Sequence, residues 1–281
     1  MEKVAILGAG IMGAGIAQVA AQGGYQVILR DLQQSIVLDG LRTVEKNLQK
    51  AVEKKQLNAQ QRDEILSRIS TCTDLAEVHA ADLVIEAVVE NMAVKKQIFA
   101  ELDHLCQSHT LLATNTSSLS ITEIASATRR PDKVLGMHFF NPVPVMKLVE
   151  LVKGMETSDE TIDIARQFVK HIGKEEVVVH RDSPGYIVNR ILVPFINEAT
   201  FVVGEGLADA EAVDMAMKYG AGMPMGPLEL ADMIGLDIIY AVILAFYNEF
   251  RDPKYRPHHL LSTMIRAGYL GRKSGRGFYR Y

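Results

Sequence analysis

The chain has 281 residues, 48% of them hydrophobic and 23% charged, which is enough apolar material for two folded domains and excludes a disordered chain. Lys+Arg number 30 against 34 Asp+Glu, a net charge of −4, so no basic surplus invites nucleic acid and any anionic ligand must be met by local positive charge. The two cysteines, Cys72 and Cys106, are too few and too far apart for a disulfide framework or a zinc site, and they suit a reducing compartment.

In chain order, Val4–Leu7, Gln26–Leu29, Leu83–Glu86, Leu111–Ala113 and Val134–Met137 read as short β-branched strands. Between them Gly13–Gln22, Ile36–Lys55, Ala93–Cys106 and Ile121–Ser126 carry helical patterns. The charged stretch 36–70 is long for a crossover and predicts a helical excursion from the sheet. Lys147–Val152 and Glu175–His180 read as two more strands, with a helix over Asp159–His171. This alternation predicts an α/β fold with a parallel, Rossmann-type sheet. After Arg181-Asp182-Ser183-Pro184-Gly185 only helical patterns follow: Ile187–Val203, Ala208–Lys218, Leu228–Ile234, Gly235–Phe250 and Leu260–Ala267. The expected domains are therefore 1–182, binding a nucleotide, and 183–281, all-α. The apolar, Met-rich second domain reads either as an ordinary core or as a partly exposed face for a homodimer. Its longest apolar run, Ile238–Tyr247, is too short to span a bilayer, and the glycine motif follows the first strand too closely for a signal segment. A cytoplasmic protein with no membrane partner is expected, although a matrix enzyme freed of its leader would look the same.

Gly8-Ala9-Gly10-Ile11-Met12-Gly13 follows a strand and opens a helix. Gly8 permits the tight turn, Gly10 lets the backbone approach a pyrophosphate, and Gly13 lets helix and strand pack closely. The motif alone is weak; its context, with a second strand ending in Asp31, makes it a dinucleotide site. A carboxylate at Asp31 accepts the ribose hydroxyls and repels a 2′-phosphate, favouring NAD, while the adjacent Arg30 would partly offset that repulsion.

Ligands of such sheets bind beyond the carboxyl ends of the strands. There the sequence offers Glu86-Ala87-Val88-Val89-Glu90-Asn91, then Thr114-Asn115-Thr116-Ser117-Ser118, then His138-Phe139-Phe140-Asn141-Pro142. His138 is the one histidine so placed, and a neutral imidazole is a natural base for a hydroxyl proton near pH 7. Glu150 lies in an apolar strand, where a carboxylate is costly unless paired. It either orients His138 or sits at a solvent-facing strand edge. No nucleophile elbow accompanies the pair, and His258-His259 lacks partners at metal spacing, so neither a serine hydrolase nor a metal site is expected.

Taken together, Gly8–Gly13, Glu86–Glu90, Asn115-Thr116-Ser117-Ser118-Leu119, His138–Pro142, Pro184-Gly185-Tyr186-Ile187-Val188-Asn189-Arg190 and Gly271–Tyr279 resemble the L-3-hydroxyacyl-CoA dehydrogenases over essentially the whole chain. The resemblance is strongest to their short, single-function bacterial members, which act on 3-hydroxybutyryl-CoA. It implies His138 as general base and acid with Glu150 as partner, Ser117 on the reacting oxygen, and Asn189 holding substrate. It implies that Asp31, Glu90, Lys95, Asn141 and Lys273 join the glycine loop on NAD, with Ser117 touching both ligands. Asn47 and Lys54 fall where the family's helical excursion meets the CoA of an acyl-CoA thioester. A homodimer through the helical domain, and a place in fatty-acid or butyrate metabolism, follow from the same resemblance.

Arg42, Lys46, Lys50 and Lys54 recur every four residues as a basic stripe suited to CoA phosphates; the alternative is a solvated face paired with Glu45 and Glu53. Rival readings are a dehydrogenase of a CoA-free 3-hydroxy acid such as L-gulonate, and a dinucleotide-binding structural protein like the related lens crystallin. The 3-hydroxyisobutyrate-type dehydrogenases use a lysine, which the His138/Glu150 pair disfavours.

Overall fold

A computed structural model describes residues 1–281. They divide into two compact units, Met1–Ser183 and Pro184–Tyr281. In the first unit β1 (Lys3–Leu7), β2 (Gln26–Arg30), β3 (Ile69–Cys72), β4 (Leu83–Glu86), β5 (Leu111–Thr114), β6 (Val134–Phe139), β7 (Leu148–Lys153) and β8 (Glu175–Val179) form one eight-stranded sheet in the order β3-β2-β1-β4-β5-β6-β7-β8. The central strands are apolar on both faces because helices cover both faces of the sheet. α1 (Ile11–Gln22) is built largely of small residues, which lets it pack closely on the sheet. α2 (Gln34–Glu53) buries Val37, Gly40, Val44 and Leu48, a single stripe at helical spacing, and leaves its charged face to solvent. α3 (Ala59–Ser67) opens with a reciprocal cap between Asn58 and Gln61. α4 (Met92–Leu105), α5 (Ile121–Ala125) and α6 (Asp159–His171) complete the layers, and Asn91, Ser120 and Ser158 cap their first turns.

Two features differ from the sequence expectation. The excursion is not helical throughout: it ends in β3, a short edge strand beside β2 with Val27 opposite Ile69. Its sequence, Ile-Ser-Thr-Cys, is polar and short because one side of it lacks a neighbour. Nor is the sheet parallel throughout. It is parallel through β6, but β7 runs antiparallel to β6, and β8 runs with β7. The link between β6 and β7, residues 140–147, is too short for a helical crossover, so the chain must turn straight back. That reversal sets His138 opposite Glu150 in the strand register.

The second unit is helical: α7 (Val188–Gly204), α8 (Ala210–Gly220), α9 (Pro227–Ile234), α10 (Leu236–Phe250) and α11 (His259–Arg266). Its core is built on Ile196, Leu236, Ile243, Phe246 and Leu261. No single helix is long and apolar enough to cross a membrane; α9 and α10 reach that length only together, and they meet at 98°. The final residues fold back through bridges from Arg276 to Gly271 and to Arg280. Asp232 on α9 holds this tail by accepting from Phe278 N (2.9 Å) and Tyr279 N (2.9 Å).

Candidate active site

β1 lies at the switch point of the sheet, with β2 and β4 on its two sides, and the glycine loop leaves its carboxyl end. Gly8 has φ +97°, and a side chain there would meet Ala87 O at 2.5 Å. Gly8 N donates to Arg30 O (2.8 Å) and Ala87 N to Leu7 O (2.7 Å), so the loop is held between the ends of β2 and β4. A Cβ on Gly13 would lie 1.7 Å from Gly8 O, whereas one on Gly10 would meet nothing within 4 Å. The loop is thus closed toward the protein and open at Gly10. No side chain caps the first turn of α1, and no acidic residue lies in it. The N–H groups of that turn are therefore free to take an anion, and the cradle fits the pyrophosphate of a dinucleotide.

Asp31 locks this cradle. One carboxylate oxygen accepts Ala9 N (2.7 Å) and the other Leu32 N (2.7 Å). Each oxygen keeps a lone pair for a ribose hydroxyl. Arg30 does not offset the charge at the ribose with its full fork, because its Nε donates to Thr73 O (3.0 Å) across the strand edge. The arrangement favours a 2′-hydroxyl over a 2′-phosphate. Ile11, Leu32 and Val89, all well exposed, form an apolar margin around the loop.

Farther along the same sheet edge, His138 Nδ1 and Glu150 Oε2 are 2.7 Å apart, and Glu150 is fully buried. A carboxylate opposite Nδ1 keeps the proton on that nitrogen, which makes Nε2 the lone-pair nitrogen of the ring. The ring also packs on Phe140, with centroids 4.5 Å apart. Asn115, at the end of β5, accepts Phe139 N (2.8 Å) and so ties the Ser117 turn to the strand that carries His138. Glu90 accepts from the Thr116 and Ser118 hydroxyls and from Ser117 N (3.3 Å).

Other expected residues are placed differently from one another. Lys95 is buried, with its ammonium on Glu86 (2.7 Å) and Glu90 (3.4 Å). Asn141 is exposed on the β6–β7 link. Asn47 donates to Gln18 of α1 (3.2 Å) and is half-buried. Of the basic stripe, Arg42 pairs with Asp39 (2.7 Å), Lys46 and Lys50 are exposed on α2, and Lys54 caps the helix end. Neither Glu45 nor Glu53 forms an ion pair with these lysines; Glu53 instead accepts from Gln49 (3.4 Å). Asn189 stands in the first turn of α7 in the second unit, where Lys273 donates to Asp237 (2.6 Å).

From the sequence alone, Glu86 and Thr114 read only as strand ends. Both are fully buried, and Thr114 donates to Glu86 (2.7 Å). The available signal was a lone carboxylate closing an apolar run, Leu83-Val84-Ile85-Glu86, which needs a buried partner. Lys174 carries no local sequence signal. It is buried in the first unit without a carboxylate, and its ammonium ties down the β6–β7 link through Val143 O (2.7 Å) and Met146 O (2.6 Å). Burial holds its pKa below the usual lysine value.

A glycine-loop nucleotide cradle and an imidazole–carboxylate pair on one sheet edge define a dinucleotide-dependent oxidoreductase. Residues 3–183 match the NAD-binding domain of 3-hydroxyacyl-CoA dehydrogenase, and residues 185–281 match its C-terminal domain. The chain belongs to the 3-hydroxyacyl-CoA dehydrogenase family and is an NAD-dependent dehydrogenase. It is 51% identical over 279 residues to a 3-hydroxybutyryl-CoA dehydrogenase of Clostridioides difficile, covering 99% of each chain. It is 45% identical to the mitochondrial hydroxyacyl-coenzyme A dehydrogenase of Sus scrofa, over 100% of this chain and 91% of the relative. The crystal structure of an (S)-3-hydroxybutyryl-CoA dehydrogenase from Ralstonia eutropha superposes with TM-score 0.97 at 48% identity, covering 100% of this chain and 99% of the other.

Proposed function

We propose that the protein interconverts (S)-3-hydroxybutyryl-CoA and acetoacetyl-CoA with NAD, and that short 3-hydroxyacyl-CoA thioesters are its substrate class. The observation that carries this reading is the buried His138–Glu150 pair, 2.7 Å apart, on the sheet edge that also bears the glycine loop. Full-length similarity to dehydrogenases named for 3-hydroxybutyryl-CoA supports the acyl length. The unpaired lysines of α2 support the CoA moiety, since exposed ammonium groups offer charge-assisted bonds to its phosphates.

In oxidation, His138 Nε2 takes the proton of the C3 hydroxyl, and Glu150 stabilises the imidazolium through Nδ1. The nicotinamide ring, when bound, supplies the acceptor for the hydride leaving C3. The C3–O bond becomes a carbonyl as both hydrogens depart. In reduction, protonated His138 returns its proton to the oxygen, while the Ser117 hydroxyl donates to the charge that develops there. Asp31 holds the adenosine ribose, and Glu90, Asn141 and Lys273 complete the NAD contacts. Asn189 orients the thioester, and Asn47, Lys50 and Lys54 serve the CoA end.

The same reading makes the protein a homodimer through its second unit, where Leu207, Met215, Tyr219 and Met233 are exposed apolar side chains. It also places the protein in the cytoplasm, consistent with two buried free thiols. The test is nicotinamide absorbance during acetoacetyl-CoA reduction, with NADH and NADPH side by side. NADH should be used well and NADPH poorly, and His138→Ala should lower kcat by about 10³-fold. Equal turnover of a CoA-free 3-keto acid would replace the substrate class, and full activity of the variant would remove His138 from the chemistry.

A further inference from the structure

We propose that Glu86, Lys95 and Thr114 are positioning residues for Ser117, acting through a ring of hydrogen bonds, closed by one ion pair from Lys95 to Glu90, that joins the ends of β4 and β5. This rests on the role given above to the Ser117 hydroxyl. The ring runs from Glu86 Oε1 to Lys95 Nζ (2.7 Å), and from Lys95 Nζ to Glu90 Oε2 (3.4 Å). Glu90 Oε1 then accepts the Thr116 hydroxyl. Thr116 N donates to Thr114 Oγ1 (3.3 Å), and Thr114 Oγ1 donates back to Glu86 Oε2 (2.7 Å). Glu86 and Thr114 face each other as partners in the β4–β5 register, so the sheet itself brings the ends of the ring together.

Two of these residues cannot touch a ligand, since Glu86 and Thr114 are 0% exposed, and Lys95 is nearly as deeply buried at 1%. A buried lysine and a buried glutamate are costly to desolvate, and well-packed apolar residues would hold two strands together at least as well. What the charged ring adds is direction. Its atoms fasten the backbone on both sides of Ser117: Glu90 Oε1 accepts Ser117 N (3.3 Å), and Thr116 Oγ1 accepts Ser118 N (3.3 Å) and Leu119 N (3.0 Å). None of these bonds uses the Ser117 hydroxyl. The turn is thus fixed at its main chain, and the hydroxyl is left for the reacting oxygen, the preorganisation a donor needs to act in the transition state.

The test is a double-mutant cycle in kcat for acetoacetyl-CoA reduction, using wild type, Thr114→Val, Ser117→Ala and the double variant. Thr114→Val keeps the side-chain shape and deletes two links of the ring. It should lower kcat about tenfold when Ser117 is present and less than about twofold when Ser117 is already alanine, because the hydroxyl it positions is then gone. Thr114→Ser, which keeps the hydroxyl, should restore most of the rate. Thermal melting confirms folding, and Thr114→Ala substitutes if the valine variant does not fold. An equal loss in both serine and alanine backgrounds, or no loss at all, overturns the positioning role while leaving Ser117 in place. Wild-type kcat in Ser117→Ala alone overturns the role of Ser117 and this inference with it.

Discussion

In the first unit the fully buried carboxylates Glu86 and Glu150 face side chains that carry or exchange a proton, Lys95 and His138, each at 2.7 Å. In the second unit the buried Asp214 and Asp232 face mainly backbone amides and tyrosine hydroxyls. Asp214 accepts Leu228 N and Glu229 N (2.8 Å each) at the start of α9, and the Tyr279 hydroxyl (2.7 Å). Asp232 accepts the amides of the tail and the Tyr281 hydroxyl (3.3 Å). Burial pushes the Asp232 carboxyl up, and the donors around it do not fully offset that. Burial and the neighbouring Asp214 push the Tyr279 phenol up as well. The lesson is that burial alone does not mark a working carboxylate. A carboxylate aimed at main-chain N–H groups closes a helix or pins a tail; one aimed at an imidazole sets a proton's place.

Two substitutions put that contrast at risk. Glu150→Gln keeps size and polarity but removes the charge that fixes the His138 proton, so kcat should fall by about 10³-fold with little change in melting temperature. A loss below about fivefold would make Glu150 a structural carboxylate like those of the second unit. Asp232→Asn turns an amide toward N–H donors and should destabilise the second unit by about 3 kcal/mol in urea unfolding. A change below about 1 kcal/mol would show that the tail does not depend on Asp232.

Much of the site was legible because its residues sit at the ends of strands with strong apolar runs. Val134–Met137 puts His138 at a sheet edge whatever the order of the strands, and Glu150 stands out as a charge inside Leu148–Val152. The strand order was less legible. β3 lacks an apolar run because it is an edge, and the reversal at β7 depends on a link whose brevity counts only once both strands are known. The ring around Glu86 was the least legible. Glu86 and Thr114 are 28 residues apart and meet only through the β4–β5 register, while Lys95 turns back from the first turn of α4. No local pattern encodes such a meeting; it is a property of the assembled sheet.

Asp103 tests the rule from the other side, because it is buried in the first unit yet faces cations. Arg130 Nε (2.7 Å), Arg129 N (3.1 Å) and Arg129 Nε (3.2 Å) all donate to it, and Arg130 also donates to the carbonyls of Asp103 (2.7 Å), Cys106 (3.2 Å) and Gln107 near the end of α4. A guanidinium does not release its proton, so this cluster can cap a helix but cannot relay a proton. Burial alone would raise the Asp103 carboxyl, but the hydrogen bonds from Arg130 and Arg129 outweigh it and hold it below the usual carboxylate range. A depressed carboxyl stabilises the fold above its unfolded pKa, and that contribution is lost as pH falls through the folded value. Asp103→Asn should therefore cost on the order of 2 kcal/mol at pH 7. The gap between variant and wild type should narrow as the pH is taken well below 4, where the wild-type carboxylate is itself protonated. Urea unfolding at pH 7 and at acid pH measures both. Its kcat at pH 7 should stay within about twofold of wild type, since none of Asp103, Arg129 and Arg130 is among the residues assigned to NAD or substrate. A gap that stayed constant down to acid pH would mean that Asp103 acts by shape rather than by charge.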